Sequence, residues 1–264
     1  MFKQRTLTTL VGVPIVIAVV WFGEPWFTIL ASVWGVGAAY EFYKIVASVK
    51  VPPLTYFGLV WTLLFIISPH FSNILPTEVL LTTAVIFPLV WLLGVQRKED
   101  AFARWAWTIA GILYVGWLLS YLVVLRNMDE GRNLVLLALV ATFGSDISAY
   151  LVGRAIGSHK LAPNISPGKT WEGAVAGIVG AVLVNMLIVT VLKTSIGYRQ
   201  AIILGVLISV VGQIGDLVKS LFKRNMGVKD SGKALPGHGG FLDRIDSIAF
   251  AGVAVYYYVS IMAS

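Results

Sequence analysis

The densest group of residues able to do chemistry lies near the carboxyl end of the chain, between Asp216 and Asp246. This segment holds six Lys or Arg residues, four Asp residues and glycines at positions 227, 232, 237, 239 and 240. Lys, Arg and backbone N–H groups bind phosphates, and glycines let the backbone approach a ligand closely. Carboxylates in the same place suit Mg²⁺, which bridges carboxylates and substrate phosphates. The composition therefore predicts a magnesium–polyphosphate site rather than a solvated loop that only orients the chain.

A second polar segment, Ser166–Gly173, reads SPGKTWEG. Its Gly-Lys-Thr tripeptide resembles the end of a phosphate-binding P-loop. The full motif is not met, because Pro163 stands at the leading glycine position and no strand is predicted before it. Asn164 or Ser166, together with Glu172, can instead act as start signals for the helix that follows. Two interpretations of Lys169 stay open: it binds phosphate, or it only caps and orients that helix.

Two acids inside apolar segments need a physical explanation. A charged group at bilayer depth costs about 2.5–3.5 kcal/mol, so we expect Asp146 to be a buried acid that faces the protein interior or a wet cavity. The alternative is helix–helix contact, since Gly153 and Gly157 form a small-xxx-small pair nearby. Glu41 is expected to form an i, i+3 ion pair with Lys44 near the end of its helix.

The composition indicates the environment in which these residues work. The chain has 264 residues, no cysteine, 58% hydrophobic residues and only 12% charged residues. A soluble domain carries about 25% charged residues, so an ordinary soluble enzyme, a disordered chain and a disulfide scaffold are excluded. The lack of cysteine also excludes thiol catalysis and thiolate metal sites. We therefore predict an all-α, polytopic integral membrane protein, whose helices satisfy the backbone hydrogen bonds inside lipid.

Apolar stretches of membrane-spanning length, about 17–25 residues, predict about nine transmembrane helices. Trp21 and Phe22 stand at the end of the first stretch in place of a small-x-small cleavage site, which favours a mature helix over a signal peptide. The predicted spans are 7–22, 26–47, 54–70, 76–95, 105–125, 133–156, 172–192, 200–222 and 245–262.

Basic residues alternate sharply between the two sides of these spans. Of the 20 Lys and Arg residues, 16 fall on one side and four on the other. The positive-inside rule then predicts a cytoplasmic amino terminus and an outside carboxyl terminus. Nucleic-acid binding is not expected, because no basic stripe lies on a soluble fold. We expect a single membrane domain, 1–264, in which helices of residues 1–132 have no assigned role and residues 133–264 carry the catalytic helices and cytoplasmic loops.

The polar segments are similar to the signature of one enzyme family. From Gly215 to Ser247 the chain contains, in order, Gly-Asp-Leu, Ser, Lys-Arg, Lys-Asp-Ser-Gly, Pro-Gly-His-Gly-Gly and Asp-Arg-Ile-Asp-Ser. A second block runs from Asp146 to Gly173 and ends in Lys-Thr-Trp-Glu-Gly. Both blocks resemble the phosphatidate cytidylyltransferases, also called CDP-diacylglycerol synthases. One residue departs from the pattern, since Lys219 stands where many relatives are expected to carry an acid.

The resemblance implies the reaction CTP + phosphatidate → CDP-diacylglycerol + diphosphate, with Mg²⁺ as the cofactor. It places the active site on the cytoplasmic side of the cell (inner) membrane, with the acyl chains of phosphatidate in the lipid bilayer, and it implies a homodimer. The phosphate of the lipid is itself the nucleophile, so no nucleophilic side chain is needed. At Lys219 an extra ammonium beside Asp216 either weakens metal binding or replaces a cation.

The expected site residues follow from the signature and from this chemistry. The expected Mg²⁺ ligands, which are also catalytic, are Asp216, Asp243 and Asp246. The other expected catalytic residues are Asp146, Lys169, Lys223 and Arg224. The expected substrate-binding residues are Ser166, Thr170, Lys219, Ser220, Lys229, Asp230, Ser231, His238 and Arg244.

Two alternatives come from other classes of membrane protein. An ion-coupled transporter or a channel would use Asp146 and Asp216 as ion sites, but the inverted repeats common in such folds are not evident. Another membrane lipid phosphotransferase, one that joins a CDP-lipid to an alcohol, would carry a denser group of aspartates than this chain shows. Substrate uptake without CTP would favour the transporter.

Overall fold

The structure is a computed structural model that describes residues 2–49, 51–95, 99–232, 234 and 239–263. It is 79% helical. The helices of the described residues are α1 (Phe2–Phe22), α2 (Trp26–Ser48), α3 (Thr55–Ile67), α4 (Thr77–Leu93), α5 (Ala101–Gly111), α6 (Leu118–Asn127), α7 (Gly131–Ile156), α8 (Trp171–Leu192), α9 (Tyr198–Asn225) and α10 (Leu242–Ala263). A 3₁₀ turn, Ser68–His70, follows α3, and a π-helical segment, Ile112–Trp117, joins α5 to α6.

Five helical segments of the described residues are long and apolar enough to cross a bilayer. They are Ala101–Asn127, Gly131–Ile156, Trp171–Leu192, Tyr198–Asn225 and Leu242–Met262. Three shorter apolar helices are Leu10–Phe22, Thr55–His70 and Thr77–Leu93. The predicted all-α membrane fold is confirmed at this level, while the count of about nine spans and the sides of the two termini stay predictions.

The chain divides into two compact units. The first unit comprises residues 1–124 and 225–245, and the second comprises residues 125–224 and 246–264. In the first unit the hydroxyl of the fully buried Tyr43 donates to the carbonyl of Thr108 at 2.9 Å. Gly58 and Gly111 both pack against the Tyr43 ring, where a Cβ would overlap it, so α2, α3 and α5 approach closely around this side chain.

Helices α7 and α8 of the second unit pack through small residues. A Cβ on Gly173 would lie 2.7 Å from the carbonyl of Ala149, and one on Gly180 would lie 3.0 Å from the carbonyl of Gly144. A Cβ on Gly177 would lie 2.9 Å from Oγ of Ser145. Glycines at this spacing let two membrane helices approach with their backbones nearly in contact. The small-residue face of α8 therefore serves the bundle within the chain.

The predicted loop before α8 folds as a short β-hairpin. Strand β1 (Lys160–Ala162) pairs antiparallel with β2 (Ser166–Thr170), and Ala162 lies opposite Ser166. The expected helix starts at Asn164 or Ser166 are wrong, because Thr170 is the N-cap and its Oγ1 accepts from the backbone N–H of Gly173 at 3.2 Å. Thr170 sits at the junction because it ends a strand and has the side-chain oxygen that a helix N-terminus needs.

Candidate active site

The second unit holds a group of two acids and two bases, Lys169, Asp216, Lys219 and Asp246, which we call the ion cluster; Lys219 and Asp246 are buried, and Lys169 and Asp216 are half-buried. The Nζ atom of Lys219 lies 2.8 Å from Oδ1 of Asp216 and 2.6 Å from Oδ2 of Asp246. The Nζ atom of Lys169 lies 2.6 Å from the other oxygen of Asp216. Lys219 is 7% exposed and Asp246 is 5% exposed. Two carboxylates and two ammoniums balance, so the cluster carries no net charge.

The backbone of α9 and α10 explains why these charges meet. Asp216 and Lys219 are one helical turn apart and lie on the same face of α9. Gly215 has no side chain, and a Cβ there would lie 2.8 Å from the carbonyl of Asp246 and 3.0 Å from the ring of Phe250. The two helices therefore approach closely at Gly215, which places Asp216 and Asp246 on one ammonium.

This close approach makes Gly215→Ala a test of the site geometry. The added methyl group is expected to push α9 and α10 apart and to lower the turnover number about tenfold or more, because displacements near 1 Å can cost up to about 100-fold. Turnover of the purified variant measures the effect. Gly12→Ala is the control, since nothing lies within 4 Å of a Cβ at Gly12. Equal turnover in both variants would contradict the proposed role of the close approach.

Lys169 reaches the ion cluster from strand β2 of the hairpin. Its Nζ also donates to the backbone carbonyl of Gln213 at 3.4 Å. The amide of Gln213 in turn donates to Oγ of Ser209 at 2.9 Å and to the carbonyl of Ala174 at 3.2 Å, which ties α9 to α8. Sequence reasoning missed Gln213, although an amide in an apolar helix, three residues before an acid, is a usable signal.

Two further contacts fix the hairpin. Oε1 of Glu172, in the first turn of α8, lies 2.6 Å from Nδ1 of His159 and accepts from Oγ of Ser158 at 2.9 Å. The Nε atom of Arg224 donates to the carbonyl of Ile165 at 3.4 Å from the last turn of α9. The hairpin that carries Lys169 is therefore held to α8 through the residues before β1 and to α9 through its turn.

A second polar group lies in the first unit and involves Glu41, Ser231 and Asp243. The predicted ion pair between Glu41 and Lys44 is wrong, because the carboxylate of Glu41 is directed to Ser231 and to the start of α10 instead. Oδ2 of Asp243 accepts from the backbone N–H groups of Ser231 and Gly240 and lies 2.9 Å from Oγ of Ser231, whose single hydrogen it shares with Glu41. Asp243 thus fastens this segment of the first unit, while Asp246 belongs to the ion cluster.

The other predicted site residues lie in different surroundings. Asp146 is exposed, so the expectation of a buried acid is wrong, while its facing a wet cavity stays a prediction. The adjacent Ser145 lies on the buried face of α7 and bonds to Ser209 at 2.7 Å. Ser220 and Lys223 are half-buried on α9. Exposed residues are Arg224, Lys229, Asp230 and Arg244. His238 lies outside the described residues.

The donor atoms of the ion cluster fit a magnesium ion. Among the described residues, no group of three or more His, Cys, Asp or Glu side chains is placed to hold a metal. Mg²⁺, however, commonly uses only one or two carboxylates and completes its shell with water and substrate phosphates. Asp216 and Asp246 form such a pair, and the Lys219 ammonium lies between them, 2.8 Å from one carboxylate and 2.6 Å from the other, where a cation would bind.

Comparison with known proteins places this chain in a family. The profile of the "Cytidylyltransferase family" matches residues 3–262. A phosphatidate cytidylyltransferase of Brucella abortus is 34% identical over 263 residues, which cover 99% of this chain and 94% of that protein. The phosphatidate cytidylyltransferase of Bacillus subtilis is 32% identical over 267 residues, which cover 99% of this chain and 98% of that protein. The chain therefore belongs to the cytidylyltransferase family and is a membrane-embedded nucleotidyltransferase.

Proposed function

We propose that this protein is a phosphatidate cytidylyltransferase, which converts CTP and phosphatidate into CDP-diacylglycerol and diphosphate. The observation that carries the proposal is the ion cluster, in which two carboxylates and two ammoniums meet on helices of a membrane protein. The full-length relatives bear the name of this activity. An ion-coupled transporter is not supported, because the matching family consists of cytidylyltransferases.

The reaction needs positioning and charge neutralisation more than a reactive side chain. A phosphate oxygen of phosphatidate attacks the α-phosphorus of CTP, a new P–O–P bond forms, and the bond to the β-phosphate breaks to release diphosphate. Negative charge gathers on the phosphoryl oxygens in such transfers, and preorganised cations stabilise it. In our proposal the Lys169 ammonium is one of these cations, and Lys223, Arg224, Lys229 and Arg244 contact the phosphates of CTP or of the lipid.

Asp216 and Asp246 would hold the magnesium ion. Asp243, the third expected ligand, is not proposed as one, because its Oδ2 atom binds Ser231 and Gly240. When bound, Mg²⁺ neutralises phosphate charge and polarises the phosphoryl oxygens. The remaining proposed residues orient the substrates through hydrogen bonds: Ser166, Thr170, Ser220, Asp230, Ser231 and His238. Asp146, on α7, is proposed to orient Lys169 or to complete the ion site.

The membrane arrangement that we propose follows the distribution of charge. About nine spans, a cytoplasmic amino terminus and an outside carboxyl terminus put the basic residues of the signature segments on the cytoplasmic side of the inner membrane. CTP would then reach the site from the cytoplasm, while phosphatidate enters sideways between helices with its acyl chains in the bilayer. The functional assembly in this proposal is a homodimer.

Transfer of label from CTP tests the proposed function. The purified protein is incubated with phosphatidate and CTP labelled at either the α- or the γ-phosphate, with Mg²⁺ or with EDTA. We expect α-label in a lipid product, γ-label only in released diphosphate, and loss of both when EDTA removes the metal. Absence of α-label in lipid from a folded, lipid-reconstituted protein would contradict the proposal.

Lys219 offers a separate prediction about the metal. Its ammonium occupies the space between Asp216 and Asp246, so it competes with an added cation for the two carboxylates. We expect Lys219→Gln to bind Mn²⁺ at least about tenfold more tightly in the absence of CTP. A pair of unit charges 4 Å apart interacts by about 4 kcal/mol near a protein surface, which makes such a change attainable.

Calorimetric titration with Mn²⁺ measures this change without relying on turnover. Lys193→Gln is the matched control, because Lys193 is an exposed lysine just after α8. Weaker or unchanged Mn²⁺ binding in Lys219→Gln would show that Lys219 does not occupy the place of a cation.

A further inference from the structure

Glu41 is a buried acid in the half of the chain to which no role has been assigned. It lies on α2 and is only 7% exposed. Its Oε2 atom accepts from the hydroxyl of Ser231 at 2.9 Å and from the backbone N–H of Leu242 at 3.0 Å. These partners are 190 and 201 residues away in sequence. A buried carboxylate costs free energy unless hydrogen bonds compensate it, so its presence here requires a reason.

The backbone on both sides of this contact is shaped around the carboxylate. A Cβ at Gly232 would overlap Oε1 of Glu41, and a Cβ at Gly240 would overlap Oε2. Glycine at these two positions therefore lets the chain lie directly against the acid. The side chain of Glu41 touches the segment just after Ser231 and again just before Leu242, where α10 begins.

Asp243 completes the same network from the first turn of α10. Its Oδ2 atom lies 2.9 Å from Oγ of Ser231, which is also the hydroxyl that contacts Glu41. The same oxygen accepts from the backbone N–H groups of Ser231 at 3.1 Å and of Gly240 at 3.2 Å. The Ser231 hydroxyl thus lies between two carboxylates, that of Glu41 on α2 and that of Asp243 on α10. The network holds both ends of the segment from Ser231 to Leu242.

We infer that Glu41 is a positioning residue for the cytidylyl transfer. It touches neither substrate nor metal in this account, and it acts by fixing Ser231 and the first residue of α10. The segment that it fastens directly follows Lys229 and Asp230, to which the proposed function assigns substrate contacts, and contains Ser231, which is proposed to orient the substrates. The inference rests on that proposed function for its effect on turnover, but the positioning itself has an independent readout.

The first experiment compares Glu41→Ala with Tyr43→Phe. Both changes remove buried hydrogen bonds of α2, but Tyr43 bonds to Thr108 rather than to the Ser231 segment. We expect both variants to melt at a lower temperature, while only Glu41→Ala lowers kcat/KM for CTP, by about 30-fold or more, well below its melting temperature. Glu41→Gln retains an acceptor oxygen and is expected to recover most of the lost activity. Equal kcat/KM for Glu41→Ala and Tyr43→Phe would overturn the inference.

A double-mutant cycle tests whether Glu41 acts through Ser231. If it does, Glu41→Ala combined with Ser231→Ala loses about as much kcat/KM as the worse single variant, since coupled residues are not additive. Losses that multiply would show two independent roles and would contradict the inference.

Hydrogen exchange separates this inference from the proposed function. We expect Glu41→Ala to accelerate exchange of the backbone N–H groups of Ser231 and Leu242, and Tyr43→Phe to leave them at the wild-type rate. If the wild-type protein fails to transfer label from CTP, the proposed function is at fault, and this measurement still decides whether Glu41 positions the segment. Unchanged exchange of these two N–H groups in Glu41→Ala would refute the positioning role of Glu41.

Discussion

Asp246→Asn is expected to lose CTP-dependent turnover by about 1,000-fold or more. The substitution keeps the shape of the side chain but removes one of the two carboxylates that flank Lys219. Removing a single preorganised electrostatic group from an active site commonly costs about 100- to 1,000-fold, and here the proposed metal also loses a ligand. Formation of labelled CDP-diacylglycerol by the purified variant measures the loss. Turnover within a few-fold of wild type would remove Asp246 from the site.

A charge-balanced variant separates catalysis from folding in this experiment. Asp246→Asn alone leaves two ammoniums facing the single carboxylate of Asp216, and breaking a buried ion pair from one side typically costs about 3–5 kcal/mol. Adding Lys219→Met restores the balance, with Lys169 opposite Asp216. We expect the double variant to regain much of the lost thermal stability but none of the turnover. Recovery of turnover would show that the single variant was inactive only because it was misfolded.

Lys169→Met is expected to lower kcat/KM for CTP by about 100-fold or more. In the structure its ammonium reaches Asp216 from the hairpin, and in our proposal it also neutralises charge on the transferring phosphate. We expect thermal stability to change little, because Asp216 keeps Lys219 as a partner. The loss of kcat/KM therefore cannot be explained by unfolding of the variant. Initial rates over a range of CTP concentrations provide kcat and KM separately.

Lys160→Met is the matched control for this change. It removes a lysine from the other strand of the same hairpin, where the side chain is exposed. We expect near wild-type kinetics from Lys160→Met. If Lys169→Met behaves in the same way, Lys169 only orients the start of α8, which is the second interpretation that its sequence left open.

The membrane fold and half of the ion cluster could be predicted from local patterns. A run of apolar residues long enough to cross a bilayer predicts a helix directly, and α9 shows this well. Helical periodicity also predicts that Asp216 and Lys219, three residues apart, share a face. These features depend on neighbours in sequence, which is why composition and spacing are sufficient.

The meeting of Asp216 with Asp246 depends on contacts that no local pattern encodes. It requires α9 and α10 to touch at Gly215, and one glycine in an apolar helix has several explanations before the partner helix is known. Glu41 illustrates the same limit more strongly. Lys44, one turn away, was the nearest basic partner in sequence, whereas the observed partner Ser231 is 190 residues distant.

The hairpin escaped prediction for a different reason. Its strands have three and five residues, too few to show a two-residue alternation, and the second contains both Pro167 and Gly168, which favour a loop interpretation. The predicted helix start was wrong for the same reason, because the strands are short. Thr170 is recognised as the N-cap of α8 only once the strand before it is known.

Mn²⁺ binding in the presence of CTP tests the central claim most directly, namely that carboxylates of α9 and α10 together hold the cation and the nucleotide. Electron paramagnetic resonance measures free and bound Mn²⁺ without any need for turnover. We predict a CTP-dependent bound population in the wild-type protein and its loss, by about tenfold or more in affinity, in the folded variant Asp216→Asn/Asp246→Asn. Unchanged CTP-dependent Mn²⁺ binding in that variant would contradict the account.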